Sequence, residues 1–243
     1  LLRNPDKNKS KISKRKNPVS LLYYKETGVL SEALLNFLAL MGFSFGDDVE
    51  KFTLEQMTET FSFDKVSLGG PVFDPEKLLW LNGLYLRELS HEELVRRVTS
   101  LWLNEDYFTT LIPLVQERMK TLNDFTVKAG FFFEGELDYN TPDGAALLPK
   151  KRTPVEMSKA LVAVAEGIDA MDAYTIEGIE EVLRRVVAER EWKVRDLFMP
   201  VRIAVCGAKA SPPLFESMYA LGRERTRSRL RRAAAHVRTL PAN

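Results

Sequence analysis

Four helices open within about sixty residues of this chain, and that density leaves little room for a sheet. Leu30, Ala33, Leu34, Phe37, Leu38 and Met41 recur at three- and four-residue spacing, which predicts one buried helix face ending near Gly42. Thr53 with Gln56 forms a capping box that opens a short helix containing Leu54, Met57 and Phe61. Asp74-Pro75-Glu76 supplies an N-cap, a first-turn proline and a first-turn acid ahead of Leu78, Leu79 and Leu81. Ser90 with Glu93 repeats the box before Leu94, Val95, Val98 and Leu101. Beyond these, Thr153-Pro154-Val155-Glu156 starts another helix. Ile176, Ile179, Val182, Leu183, Val186 and Val187 make a second amphipathic one, and the segment from Leu214 to about Val237 reads as helix with arginines round much of its surface. The fold class expected is mainly α.

Two stretches interrupt the pattern. Val66-Ser67-Leu68-Gly69-Gly70-Pro71-Val72-Phe73 is a glycine-proline loop, read from its residues alone as a tight turn. Residues 134–152, with Gly135, Pro142, Asp143-Gly144, Pro149 and the run Lys150-Lys151-Arg152, read as a linker. At 243 residues the chain can bury a sizeable core in one or two domains. Cys206 is the single cysteine, so no internal disulfide forms. His91 and His236 are the only histidines, and no metal site is expected. No apolar run reaches membrane-spanning length and no signal-peptide pattern opens the chain, so a cytoplasmic protein is expected. Lys+Arg 35 against Asp+Glu 34 gives a net charge of +1, but both ends are basic. Residues 1–16 hold seven cations against Asp6, and Arg223, Arg225, Arg227, Arg229, Arg231 and Arg232 face Glu224 alone. Such ends suit phosphates, although solvated helical arginines give the same run.

Lys11-Ile12-Ser13-Lys14-Arg15 gathers two ammonium groups, a guanidinium and a hydroxyl. That chemistry can grip triphosphate oxygens, and a plain solvated basic loop has the same composition. After it come Asn17-Pro18-Val19-Ser20-Leu21-Leu22-Tyr23-Tyr24, then Gly28-Val29-Leu30-Ser31-Glu32-Ala33-Leu34-Leu35-Asn36-Phe37-Leu38, and Leu40-Met41-Gly42-Phe43-Ser44. This order resembles bacterial glutamyl-tRNA synthetases, class I enzymes, downstream of their second signature motif of the Lys-Met-Ser-Lys-Ser type. The likeness continues through Leu1-Leu2-Arg3-Asn4-Pro5-Asp6, Val66 to Asp74 with Lys77-Leu78 and Trp80-Leu81-Asn82-Gly83, Arg118 with Thr121-Leu122, Pro200-Val201-Arg202 and Ser211-Pro212-Pro213-Leu214-Phe215. One departure is the Lys7-Asn8-Lys9-Ser10 segment, slightly longer than the family pattern.

The resemblance implies the C-terminal half of such an enzyme, beginning just before its ATP loop. It implies the end of a catalytic domain with a stem-contact helical region at 1–89, followed by two all-α anticodon-binding subdomains at 90–149 and 150–243. Lys11, Ile12, Ser13, Lys14 and Arg15 would be the ATP loop, with Lys14 the catalytic lysine nearest the phosphates and Lys11 supporting it. Arg118, Arg202, Ser211, Pro212 and Leu214 would contact RNA, and Arg118 would separate glutamate from glutamine anticodons by the third base. The partners implied are tRNA(Glu) and, for the full enzyme acting as a monomer, glutamate, ATP and Mg²⁺. The other signature, of the His-Ile-Gly-His type, is not in this chain, so no activity is expected of it alone. The alternatives are a non-catalytic helical RNA-binding module of the same ancestry and a glutaminyl-type relative with altered anticodon preference.

Overall fold

The computed structural model describes residues 2–13, 19–46, 49–67 and 69–241. Leu1, Lys14, Arg15, Asn17, Pro18 and Leu68, on which part of the resemblance rests, lie outside these residues. The chain divides into two compact units, Leu1–Leu101 and Trp102–Asn243. Among the described residues the regular structure is helical, and β pairing is confined to isolated bridges.

The first unit holds α1 (Leu21–Glu26), α2 (Ser31–Leu40), α3 (Leu54–Thr60), α4 (Pro75–Glu88) and α5 (His91–Leu101). The local start signals operate as their chemistry dictates. Thr53 and Gln56 exchange both capping-box hydrogen bonds, and the Asp74 carboxylate accepts from the Glu76 and Lys77 N–H groups ahead of Pro75. Ser90 Oγ accepts from Glu93 N at 3.2 Å, but the Glu93 carboxylate turns to Arg96 and Arg97. Tyr24, Phe37, Leu78 and Leu81 form the core where α2 lies against α4. Buried Asn36 supports the turn into α3, donating to Glu50 O at 3.1 Å and accepting from Phe52 N at 3.1 Å. Several apolar side chains assigned to these helices stand outside: Leu38, Leu54, Leu79, Val95 and Val98 are exposed, and Phe61 caps α3 from beyond its last turn.

The N-terminal segment is pinned rather than trailing. Arg3 N donates to Pro71 O at 2.9 Å and Arg3 O accepts from Phe73 N at 2.8 Å. On its other side the segment pairs with residues 10–12, through Asn4 N to Ser10 O at 2.7 Å and Ile12 N to Leu2 O at 3.0 Å. The extra lysine-rich residues form the turn of this small hairpin. Lys9 takes the left-handed conformation with φ 43°, and the Asp6 carboxylate accepts from Ser10 N and Ser10 Oγ.

The second unit holds α6 (Glu105–Val115), α7 (Asp124–Ala129), α8 (Pro154–Asp169), α9 (Ile176–Glu189), α10 (Val194–Cys206), α11 (Leu214–Leu221) and α12 (Arg223–Val237). One apolar core runs from Leu111 to Val237, with α8 and α12 lying along each other at its centre. The stretch 134–152 is not a linker. Leu137, Tyr139, Leu147 and Leu148 are buried in that core, and Tyr139 Oη donates to Ala204 O at 2.9 Å and Arg229 O at 3.1 Å. Burial raises the Tyr139 phenol to about 12, keeping it a neutral donor. The segment from Leu214 is two helices, not one, broken where Gly222 adopts φ 83°.

Candidate nucleic-acid interface

Arg118 ends a single turn of 3-10 helix, Gln116–Arg118, that continues α6. Its side chain is exposed and makes one long hydrogen bond, Nη1 to Leu114 O at 3.3 Å. Asp124, an ion-pair partner within reach by sequence distance, is used otherwise. Its Oδ2 accepts from Lys120 N at 2.7 Å and Thr121 N at 2.8 Å, which lowers its pKa and ties down the turn after Arg118. Leu122, at the outer edge of that turn, is 88% exposed. The result is a braced turn that presents a guanidinium fork and an apolar side chain outward. That pair can take two hydrogen bonds from a base edge and cover a base face.

The second cluster forms where α10 leads into α11. Arg202 Nη1 donates to Ser211 Oγ, to Ser211 O at 3.3 Å and to Pro212 O at 2.7 Å. Pro213 precedes α11, and its carbonyl accepts from Ser217 N at 3.0 Å. Arg202, Ser211, Pro212 and Leu214 therefore meet in one fastened loop. The Leu214 side chain is 5% exposed and Pro212 is buried, so this loop offers ligands its main chain and the Ser211 hydroxyl rather than an apolar edge. Burial also pushes the neighbouring Cys206 thiol up to about 11, which leaves it unreactive. Arg118 sits on a separate turn from this loop, and their parent helices α6 and α11 pack together.

The C-terminal arginines correct the reading of a phosphate-facing or solvated row. Arg225, Arg227 and Arg229 are buried. Arg225 donates to Phe132 O at 2.7 Å, Leu221 O at 3.0 Å and Tyr107 Oη at 2.8 Å while stacking on Trp102. Arg229 donates to Val205 O at 2.6 Å, Phe131 O at 2.7 Å and Glu134 O at 2.6 Å. Arg227 and Arg231 both pair with Asp169 at the end of α8. Arg223 binds Met171 O and Arg232 pairs with Glu136. These arginines fasten the fold from inside, because carbonyls at helix ends need donors that the helices cannot supply.

Of the triphosphate-gripping candidates, Lys11, Ile12 and Ser13 are described, while Lys14 and Arg15 are not. Lys11 is exposed on the hairpin edge opposite Arg3. Among the described residues, no cluster of three His, Cys, Asp or Glu side chains is placed to hold a metal ion.

Comparison with known families decides what these two clusters belong to. The model for the anticodon binding domain matches residues 91–234. This chain belongs to that family. A second model, described as the catalytic domain of class I tRNA synthetases (E and Q), matches residues 1–80. The chain is 41% identical over 233 residues to glutamate–tRNA ligase of Psychrobacter cryohalolentis, covering 96% of this chain and 45% of that protein. It is 42% identical over 235 residues to the glutamate–tRNA ligase of Cellvibrio japonicus, covering 96% of this chain and 45% of that one. A Marinomonas glutamate–tRNA ligase is 41% identical over 234 residues, 96% of this chain and 46% of the relative. The matches bear out the resemblance to glutamyl-tRNA synthetases, and the chain spans less than half the length of these relatives. Arg118 and the Arg202–Leu214 cluster both fall inside the anticodon binding domain match. What reading the sequence missed is Asp124, whose N–H-gathering role is signalled only by an acid at the start of a short helix after Thr121.

Proposed function

We propose that this chain is the RNA-gripping part of a glutamate–tRNA ligase, with the ATP loop at its N-terminal edge. The observation that carries the proposal is the succession, on one chain, of a class I catalytic match at 1–80 and an anticodon binding match at 91–234. In this reading residues 1–89 end the catalytic domain and meet the tRNA stem. Residues 90–149 and 150–243 then take the anticodon as two subdomains, which from Leu111 onward share one core.

The whole ligase would join glutamate to ATP by in-line attack of the glutamate carboxylate on the α-phosphorus, releasing pyrophosphate, and would pass the glutamyl group to the 3′ end of tRNA(Glu). Lys14 and Lys11 would face the departing pyrophosphate, where charge grows most in the transition state, with Ile12, Ser13 and Arg15 completing the loop. The described part of that loop fits such a role: Lys11 is exposed, and the hairpin with Arg3 fixes where it emerges. Mg²⁺ would neutralise phosphate charge and would be held chiefly by the nucleotide. Arg118 would read a base edge, worth about 1–3 kcal/mol of discrimination. Ser211 and the main chain of Pro212, held by Arg202, would receive an unstacked base together with the main chain of Leu214. The protein would act as a monomer in the cytoplasm; among the described residues no helix is long and apolar enough to cross a membrane.

Titrating labelled tRNA for glutamate and for glutamine against this chain tests the proposal. Preference for the glutamate tRNA, lost in Arg118→Ala, supports it. Equal affinity for both would favour a general RNA-binding module, and pyrophosphate exchange by this chain alone would refute the division of labour.

A further inference from the structure

The run Lys150-Lys151-Arg152 is absorbed neither by the core nor by the clusters above. Arg152 is its fixed point. It donates to Asp196 Oδ2 at 2.6 Å and lies over the Trp192 ring, 4.2 Å from its centroid. Those two contacts tie the segment before α8 to the corner between α9 and α10. Trp192 closes that corner by donating its backbone N–H to Val187 O at 3.0 Å. Around this anchor stand Lys150 and Lys151 on one side and Lys193 and Arg195 on the other, all exposed. None of these four has a carboxylate within ion-pair distance among the described residues, whereas the arginines of α12 hold partners inside the fold. The nearby acids do not neutralise them. Asp196 is taken by Arg152, and Glu156 is turned back onto the Thr153 N–H and hydroxyl. Glu189 and Glu191, where α9 ends, are also exposed, and Glu189 lies 4.0 Å from Arg185 and Arg190.

From this juxtaposition we infer that the α8–α10 corner is a second contact surface, taking the sugar-phosphate backbone of the RNA whose bases the other clusters read. The inference rests on the RNA-binding reading above. Four long, flexible cations mounted on a rigid, cross-tied corner suit a row of phosphates. Three are ammonium point charges and Arg195 can fork onto a phosphate, so they carry affinity without sequence preference. A polyanion bound there would release counterions in proportion to the phosphates neutralised.

The test is the salt dependence of tRNA binding by fluorescence anisotropy. The parent chain is compared with a variant combining Lys150→Ala, Lys151→Ala, Lys193→Ala and Arg195→Ala. The slope of log K against log salt is expected to become shallower by about 3, at about 0.7–0.9 for each phosphate no longer neutralised. The preference for glutamate tRNA over glutamine tRNA is expected to stay as it was. Two double variants, at 150/151 and at 193/195, should each give about half the change and guard against misfolding of the quadruple one. A parent chain that binds with a given slope, and a well-folded variant with the same slope, overturns this inference alone. A parent chain with no affinity for any tRNA at low salt overturns the RNA-binding reading and this one together. Loss of binding to polyglutamate with an unchanged RNA slope would assign the corner to an acidic protein instead, and also overturns it.

Discussion

Replacing Arg229 by methionine separates an internal fastener from a ligand contact. The side chain is 2% exposed and its two terminal nitrogens satisfy three carbonyls: Val205 in the last turn of α10, and Phe131 and Glu134 in the bend after α7. Methionine fills most of the volume and donates nothing. Each stranded buried carbonyl costs about 1–3 kcal/mol, so about 6 kcal/mol is at stake. Against that, the charge no longer has to be kept from water. Burial first, and the Arg225 guanidinium second, hold the Arg229 pKa down from 12.5 to about 10. That displacement corresponds to about 3 kcal/mol needed to hold the cation inside. The carbonyl loss wins, and Arg229→Met should cost about 3 kcal/mol, or about 6–12 °C in melting temperature for a body of this size. Arg232→Met is the control: its ion pair with Glu136 is half in solvent, and less than about 1 kcal/mol should be lost. Calorimetry of both variants beside a tRNA titration reads the two roles apart. A melting temperature unchanged in Arg229→Met, with RNA affinity reduced, would refute the internal role and return this arginine to the surface.

Arg118→Ala should leave the melting temperature within about 2 °C, because a surface change away from packing alters stability by about 0.5 kcal/mol at most. It should cost about 1–3 kcal/mol in discrimination between cognate and non-cognate tRNA, read from the ratio of dissociation constants. Arg97 holds Glu32 at a pKa of about 2 against an ordinary 4.5. A carboxylate depressed in the fold stabilises it above pH 4.5 and loses that contribution as pH falls from 4.5 towards 2. Glu32→Gln should therefore flatten the acid dependence of the first unit's melting across that window, followed by circular dichroism. Gly144→Ala would place a Cβ 1.9 Å from Tyr139 O, so the bend must open. Overpacking of this kind costs about 1–3 kcal/mol, seen as a lowered urea midpoint.

Helix starts were legible because their cause is local: Thr53, Asp74 and Thr153 lie within three residues of the N–H groups they satisfy. Fold class followed from them. The 134–152 stretch was misread because its prolines and glycines signal bends truthfully, while nothing local signals that Tyr139 reaches Ala204 and Arg229. The same distance hid the arginines. Arg229 finds Phe131 and Glu134 almost a hundred residues upstream, so a row that looks solvated on a helical wheel is enclosed by partners from elsewhere. Gly222 was visible as a helix interruption, but a single glycine in a helical pattern is tolerated often enough to be read through. For the site, residue identities at 118, 202 and 211–214 came from likeness to a family. That Arg202 grips the Ser211–Pro212 main chain, and that Leu214 faces inward, needed coordinates.

The segment around Arg3 is engaged on both edges, by Pro71 and Phe73 on one and by Ser10 and Ile12 on the other, whereas the bend at Lys7 to Lys9 is held by Asp6 and Ser10. Length variation among kin should therefore collect at that bend. An added residue there lengthens a solvent-facing tip and leaves the exit point of Lys11 where it was. The same addition between Gly69 and Phe73 would drag the whole strand-like pair with it.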